Sequence, residues 1–389
     1  MATKRQAGTY VTTATAGEQV RAFVPSPLPP DPPLQLTPDD LDLMERANRS
    51  LGKLDGLATL LPEASLFLYM YVRKEAVLSS QIEGTQSSFA DLLLYEHEQS
   101  PGVPVGDVEE VSSYVAAMKH GLDRLRSGFP LSLRLIREIH GVLLAHGRGS
   151  DKEPGEFRRS QNWIGGTRPG NARFVPPPPD RLPDCLSDFE RFLHGEPVRM
   201  PALLRAALAH VQFETIHPFL DGNGRLGRLL VALLLCQEGA LSEPVLYLSL
   251  FFKQHRDVYY EHLQRVRIEG DWEGWIRFFM EGVATTADEG VAAARSILAL
   301  FAEHRRAIGD LGRASGTGLR VHELLQRKPV VSIADVAGAL DVSAPTAASA
   351  LKRLQDIGIA REITGRQRDR LFVYEPYVNL LGHGTEPLR

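Results

Sequence analysis

The sequence predicts a mainly α fold, broken by one small β-hairpin and followed by a separate C-terminal unit of three helices and two strands. Three observations carry that prediction. Apolar residues recur at helical spacing, as at Leu203, Leu204, Ala207, Leu208 and Val211 after Pro201. A second run, Leu226, Leu229, Leu230, Leu233, Leu234 and Leu235, is apolar nearly all round, as a buried central helix must be. Extended runs cluster only near residues 161–175 and 358–374, each around a Gly-containing turn.

The elements follow in order. Residues 1–36 are polar, then proline-rich through Pro25-Ser26-Pro27-Leu28-Pro29-Pro30, and read as an extended arm packed on the surface. Thr37-Pro38-Asp39-Asp40 is a helix start, with Thr37 as cap and Leu41, Leu43, Met44 and Ala47 following. Pro62-Glu63 opens a helix through Val72, Ala76 and Val77 that ends at Ser79-Ser80-Gln81-Ile82-Glu83-Gly84, where Gly84 suits a left-handed cap. A Pro/Gly loop from residue 100 precedes a helix with Val111, Tyr114, Val115, Met118 and Leu122. Another runs from Leu131 to about Ala145 and carries His140 on its apolar face, where a core histidine is expected. Gln161-Asn162-Trp163-Ile164 and Arg173-Phe174-Val175 read as the β-hairpin. Further helices run from Leu246 and Tyr259 through Trp272, Trp275, Phe278 and Phe279, whose aromatics read as core, and a long helix spans about Glu273 to Arg306. Gly309 to Gly318 reads as a linker. The tail then gives helices around Val321–Leu325, from Ile333 to Leu340, and from a Ser343 cap to Ile357. Strands at 358–361 and 371–374 flank Gly365-Arg366. This tail resembles a winged helix-turn-helix module. Ala344, Ala347, Ala348 and Ala350 dominate its reading helix, while Lys352, Arg353, Arg366, Arg368 and Arg370 leave DNA contact open.

The chemistry concentrates in the loop Ile216-His217-Pro218-Phe219-Leu220-Asp221-Gly222-Asn223-Gly224-Arg225-Leu226-Gly227-Arg228. Gly222 and Gly224 let backbone approach a ligand closely. Their N–H groups, with that of Asn223, lie at a helix N-terminus, which favours an anion. Arg225 and Arg228 are three apart and can face the same anion. Asp221 offers a hard oxygen suited to Mg²⁺ (or Mn²⁺) that keeps most of its waters. His217 titrates nearest neutrality and is the natural proton acceptor. Such a set describes a polyphosphate held with a divalent ion beside a base that activates a hydroxyl. It is the makeup of a transferase site.

His-Pro-Phe-x-Asp-Gly-Asn-Gly-Arg-x-x-Arg also resembles the signature loop of the Fic (Fido) family of protein adenylyltransferases, with every position filled from His217 to Arg228. The resemblance implies an all-helical Fic core with a hairpin flap that aligns the target segment. It implies that His217 deprotonates a target hydroxyl, Asp221 holds Mg²⁺, and Gly222, Asn223 and Gly224 line the anion hole. Arg225 and Arg228 would grip the outer phosphates of ATP, leaving AMP on the target and releasing pyrophosphate. A related branch that phosphorylates its target has Lys where this chain has Gly224. Ser79, Glu83 and Gly84 are similar to the family's inhibitory motif, whose Glu pairs with the second arginine, here Arg228. A carboxylate there occupies the charge meant for the γ-phosphate. The resemblance divides the chain into an arm and inhibitory helical region (1–100), a catalytic domain with following helices (101–308) and the winged module (319–389).

Composition fits this reading. The chain has 389 residues, ordinary hydrophobic and charged fractions and a formal net charge of −4, so no global basic field advertises nucleic acid. Its two cysteines, Cys185 and Cys236, belong to no metal spacing or disulfide framework. The N-terminus lacks an apolar signal core and no apolar run reaches membrane-spanning length, so a cytoplasmic protein without membrane contact is expected. Two other readings stand beside AMP transfer: removal of AMP using Glu83, and a nucleotide-sensing DNA-binding regulator. Target identity, self-modification and a homodimer stay open.

Overall fold

The computed structural model describes residues 5–60, 64–96, 104–312 and 315–387, without the side chains of 58–60 and 64–69. The expected helix start at Pro62-Glu63 and the loop at 101–103 lie outside the described residues. The arm begins with a hairpin that the proline-rich reading misses. β1 (Gly8–Thr15) pairs antiparallel with β2 (Glu18–Pro25) across Ala16-Gly17. Both turn residues have positive φ, +49° and +79°, as a two-residue hairpin turn requires. Arg5 fixes the arm by a two-pronged ion pair with Glu273, at 2.8 and 2.9 Å.

Among the described residues eleven α-helices follow: α1 (Pro38–Leu60), α2 (Ala64–Ile82), α3 (Phe89–Tyr95), α4 (Val105–Arg126), α5 (Leu133–Leu143), α6 (Leu182–Leu193), α7 (Ala202–Ile216), α8 (Asn223–Gln237), α9 (Ser249–Gln254), α10 (Arg256–Glu269) and α11 (Trp272–Gly309). The α1 cap is reciprocal. The Asp40 amide donates to the Thr37 hydroxyl, and the Asp40 carboxylate accepts from the Thr37 amide and hydroxyl. α7 and α8 sit side by side at the centre, with α4 and α5 against α8. Every residue of α7 beyond Ala202 is buried, and so is α8 from Arg225 to Leu235. The aromatics Trp272, Trp275, Phe278 and Phe279 are core, as their pattern predicts.

The flap is slighter than a full hairpin. Ile164 and Phe174 form one antiparallel bridge, with Ile164 N–H donating to Phe174 O at 2.8 Å. Beyond it Pro176–Pro179 have no N–H to continue a ladder. The N-terminal hairpin extends the flap instead, because Phe23 N–H donates to Val175 O at 2.9 Å.

The C-terminal unit comprises α12 (Ser315–Arg327), β3 (Val330–Ser332), α13 (Ile333–Leu340), α14 (Ala344–Asp356), β4 (Arg361–Glu362), β5 (Leu371–Val373) and α15 (Glu375–Gly382). Its sheet is antiparallel in the order β3-β5-β4. β3 and α15 go beyond the elements legible in sequence. Gly316 and Gly318 lie inside α12, not in a linker. On α14, Ala347 and Ala350 turn into the core, so the outward face carries Thr346, Ser349, Lys352 and Arg353. The apolar core continues from α11 into this unit through Phe301, Ile308, Tyr374 and Tyr377. After α15 the chain returns to the helical part. Gln81 Nε2 donates to Thr385 O at 2.7 Å, and Lys253 Nζ donates to the carbonyls of Gly384 and Glu386. Among the described residues no helix is long and apolar enough to cross a membrane.

Candidate active site

The site is built where α7 ends and α8 begins. His217 closes α7 in the left-handed region (φ 50°, ψ 61°), which a non-glycine residue occupies only when its surroundings impose it. The imposing group is Arg158, buried beneath the loop. It donates to the carbonyls of His217 at 2.9 Å and Pro177 at 2.5 Å, while its own amide donates to Pro218 O at 2.9 Å. Asn223 locks the other side. Its side chain accepts from Phe219 N–H and donates to Phe219 O, both at 2.9 Å. The Asn223 side chain is thus spent on the loop, which leaves its backbone amide for any ligand at the helix start.

His140 is the core histidine its apolar face predicts, yet it also props the loop. It stacks on Phe219 with ring centres 3.7 Å apart. Gly155 N–H donates to its Nδ1 at 2.8 Å, so the proton sits on Nε2, which donates to Asp221 O at 3.1 Å. Gly222 takes φ +76° at the α8 N-cap, a conformation that favours glycine. Burial and the nearby guanidiniums of Arg158 and Arg267 push the His217 imidazole down to about 3. It is therefore neutral at neutral pH, with a lone pair able to take a proton.

Arg228 is buried and fully engaged with the end of α2. Its Nε donates to Ser79 Oγ at 2.9 Å, and its NH2 donates to Ser79 O at 2.9 Å and Glu83 Oε1 at 2.7 Å. Burial alone would raise the Glu83 carboxyl, but Arg228, with Arg225 and Arg148 beyond it, holds it below its ordinary range. Gly84 then turns the chain at φ +104°. Gly224 leaves the space that Glu83 uses: a Cβ built there would stand 2.2 Å from Glu83 Oε1. Burial pushes two further carboxyls near Arg228, Glu75 and Glu214, up to about 7.

Arg225 is fully buried and faces two carboxylates, Glu110 Oε1 at 3.1 Å and Asp221 Oδ1 at 3.3 Å. Asp221 Oδ1 also accepts Gly222 N–H at 2.5 Å. Its Oδ2 lies under Gly149, where a Cβ would meet it at 3.0 Å. A carboxylate about a quarter exposed offers a hard oxygen that would suit a Mg²⁺ taking its other ligands from water and phosphate. Among the described residues no group of three or more His, Cys, Asp or Glu forms a closed metal cage.

The structure thus gathers His217, Asp221, Gly222, Asn223, Gly224, Arg225, Arg228, Ser79 and Glu83 at one place, with Gly84 closing the turn. Sequence reasoning passed over Glu110, Arg148, Arg158 and Arg267. The last donates to Thr215 Oγ1 and Glu214 O and lies 4.0 Å from the Phe174 ring centre, linking the loop to the flap.

The chain is thus a mainly α protein whose inter-helix loop sets basic groups at a helix N-terminus, with the Glu83 carboxylate on the last arginine. Residues 41–123 match the Fic/DOC family N-terminal domain, 130–235 the Fic/DOC family domain, and 315–361 a winged helix-turn-helix DNA-binding domain. Residues 41–123 and 130–235 are thus similar to the two parts of the Fic/DOC family. It is 35% identical over 211 residues to a protein adenylyltransferase Fic of Culex quinquefasciatus, and 33% identical over 210 residues to one of Drosophila melanogaster. Each match covers 53% of this chain and 39% of the relative, so the chain spans about two-fifths of those relatives' length. A Fic family protein from Desulfovibrio desulfuricans G20 shares the fold, with a TM-score of 0.58 at 21% identity over 88% of this chain and 97% of that one.

Proposed function

We propose that the chain is a protein adenylyltransferase, transferring AMP from ATP to a hydroxyl of a target protein and held in check by Glu83. The observation that carries the reading is the Glu83–Arg228 pair beside a neutral His217. His217 takes the proton of the target hydroxyl as its oxygen bonds to the α-phosphorus of ATP. The bond from that phosphorus to the bridging oxygen breaks, and pyrophosphate leaves. The amides of Gly222, Asn223 and Gly224 and the Arg225 and Arg228 guanidiniums bind the phosphates. Asp221 would hold Mg²⁺, which neutralises phosphate charge when bound. Arg228 cannot serve a γ-phosphate while Glu83 holds it, so ATP binds weakly or unproductively until Glu83 withdraws. The relatives named protein adenylyltransferase support the same reaction. A sensor that only bound nucleotide would need the arginines and glycines but no base, which leaves His217 unexplained.

Intact mass after incubation with Mg²⁺ and ATP tests this directly. Glu83→Gly protein, or a lysate protein incubated with it, should gain AMP far faster than with the wild type. Equal and negligible transfer with both, despite bound ATP, would sink the reading and favour AMP removal.

The winged unit supports a second contact. Arg353 on α14 and Arg366 and Arg368 in the wing are exposed on one small domain, while Lys352 pairs with Asp356 at 2.9 Å. These guanidiniums suit duplex phosphates. Affinity for a mixed-sequence duplex, followed by fluorescence anisotropy, should fall steeply with salt, and R366A/R368A should flatten the log–log slope by roughly one to two. A slope that the double variant leaves unchanged would remove DNA as a partner of this wing.

A further inference from the structure

We propose that Glu110 is a positioning residue for nucleotide binding: it holds the Arg225 guanidinium beside Asp221 and, through Arg148, joins that arginine to the end of the inhibitory helix. The proposal deepens the transfer reading and rests on it for the role of Arg225.

Glu110 lies on α4, outside the signature loop. Its side chain is 2% exposed and that of Arg225 is 0% exposed. Two opposite charges at that depth, 3.1 Å apart, are compensated chiefly by one another. A guanidinium is a rigid planar fork, so two acceptors fix its plane. Asp221 supplies one of them, on NH2, while Glu110 faces NH1 as a buried ion pair at 3.1 Å that forms no hydrogen bond. Arg225 Nε, like NH1, remains buried without a hydrogen-bond acceptor among the described residues. Buried donors are nearly always matched, and an anion at the α8 N-terminus would match this one. Glu110 has a second cation, Arg148, whose Nε is 3.7 Å from its other oxygen. Arg148 NH1 in turn donates to the backbone carbonyl of Glu83 at 3.0 Å. The order Asp221–Arg225–Glu110–Arg148–Glu83 therefore runs from the proposed metal ligand to the plug.

Two opposite functions can be imagined for a carboxylate on a phosphate-binding arginine. It can compete with the phosphate, as Glu83 does, or aim the arginine at it. Geometry favours aiming. Glu83 reaches Arg228 from the end of a separate helix and can withdraw as that end moves. Glu110 sits in the second turn of α4 between Val108 and Val111, both fully buried, and is itself buried with them. A fixed carboxylate sets direction; a mobile one blocks.

The test uses full-length protein carrying Glu83→Gly, so that the plug is gone. Calorimetric binding of Mg²⁺–ATP and the KM and kcat of transfer are measured for this parent and for its Glu110→Gln and Glu110→Asp derivatives. Thermal melts check that each folds. Positioning of ligand-bearing groups at one remove commonly matters by 10–100-fold. Glu110→Gln is expected to weaken Mg²⁺–ATP binding about tenfold and to raise KM with kcat changed less than threefold. Glu110→Asp should recover part of the binding, which a merely structural role would not require. Unchanged binding in a folded Glu110→Gln protein overturns the proposal, and tighter binding assigns Glu110 to competition instead. Should the parent bind Mg²⁺–ATP yet transfer nothing, the transfer reading fails, while the binding arm still decides Glu110.

Discussion

His217→Ala in the Glu83→Gly protein is expected to slow AMP transfer by about 10²–10⁴-fold, the usual contribution of a positioned base. Affinity for Mg²⁺–ATP should stay within about twofold, because the imidazole belongs to the hydroxyl side of the reaction and not to the phosphate cradle. Single-turnover transfer and calorimetric binding together separate the two. The pH profile adds a sharper signature. An imidazole lowered to about 3 by burial and by the Arg158 and Arg267 charges is neutral throughout pH 5–8. The rate should therefore lack an acid limb near pH 6.5, the ordinary titration point of His. The stability linkage has the same sign. The folded value lies below the unfolded one, so the stability from burying neutral His217 is full above about pH 6.5 and is lost as pH falls toward 3. Near-parental transfer by His217→Ala would remove this residue as the base.

Arg228→Ala is expected to destabilise the fold by about 3–5 kcal/mol, as removal of one member of a buried pair does. Arg228 makes three hydrogen bonds to Ser79 and Glu83, and its charge also favours ionised Glu75 and Glu214. Glu83 is a quarter exposed, so its own share is softened by solvent, whereas the two deeper carboxyls have no such relief. Burial already places both at about 7 in the intact protein. Carboxyls raised in the folded state contribute stability that is full below their unfolded value near 4.3 and is lost as pH rises through 7. Without Arg228 that loss steepens, so the variant's deficit should be smaller at pH 5 than at pH 8. Denaturant melts at the two pH values check this, and a deficit independent of pH would mean that Glu75 and Glu214 do not sense Arg228.

What could be read in the sequence was local. The signature loop is contiguous, so residue type and spacing alone bring His217 through Arg228 together. Glu83 was legible because a four-residue interval from Ser79 and a following glycine mark a helix end. Glu110, Arg148 and Arg158 gain their meaning from contacts made far along the chain, and nothing beside them in sequence announces it. Glu110 did leave a trace: it stands four residues before buried Tyr114, so it interrupts the apolar face of α4. The N-terminal hairpin and α6 are a different kind of omission. Alternation around Ala16-Gly17, and Leu182, Cys185, Leu186 and Phe189 at helical spacing, were present to be read. In the N-terminal case the prolines that follow dominated the composition of the stretch.

The contact at Gly224 bears on how such proteins can diverge. A side chain at 224 would begin where the end of the Glu83 carboxylate now lies, so that flexible end would have to shift to admit one. A codon change there therefore touches the backbone at the α8 N-terminus and the Glu83 contact in the same step.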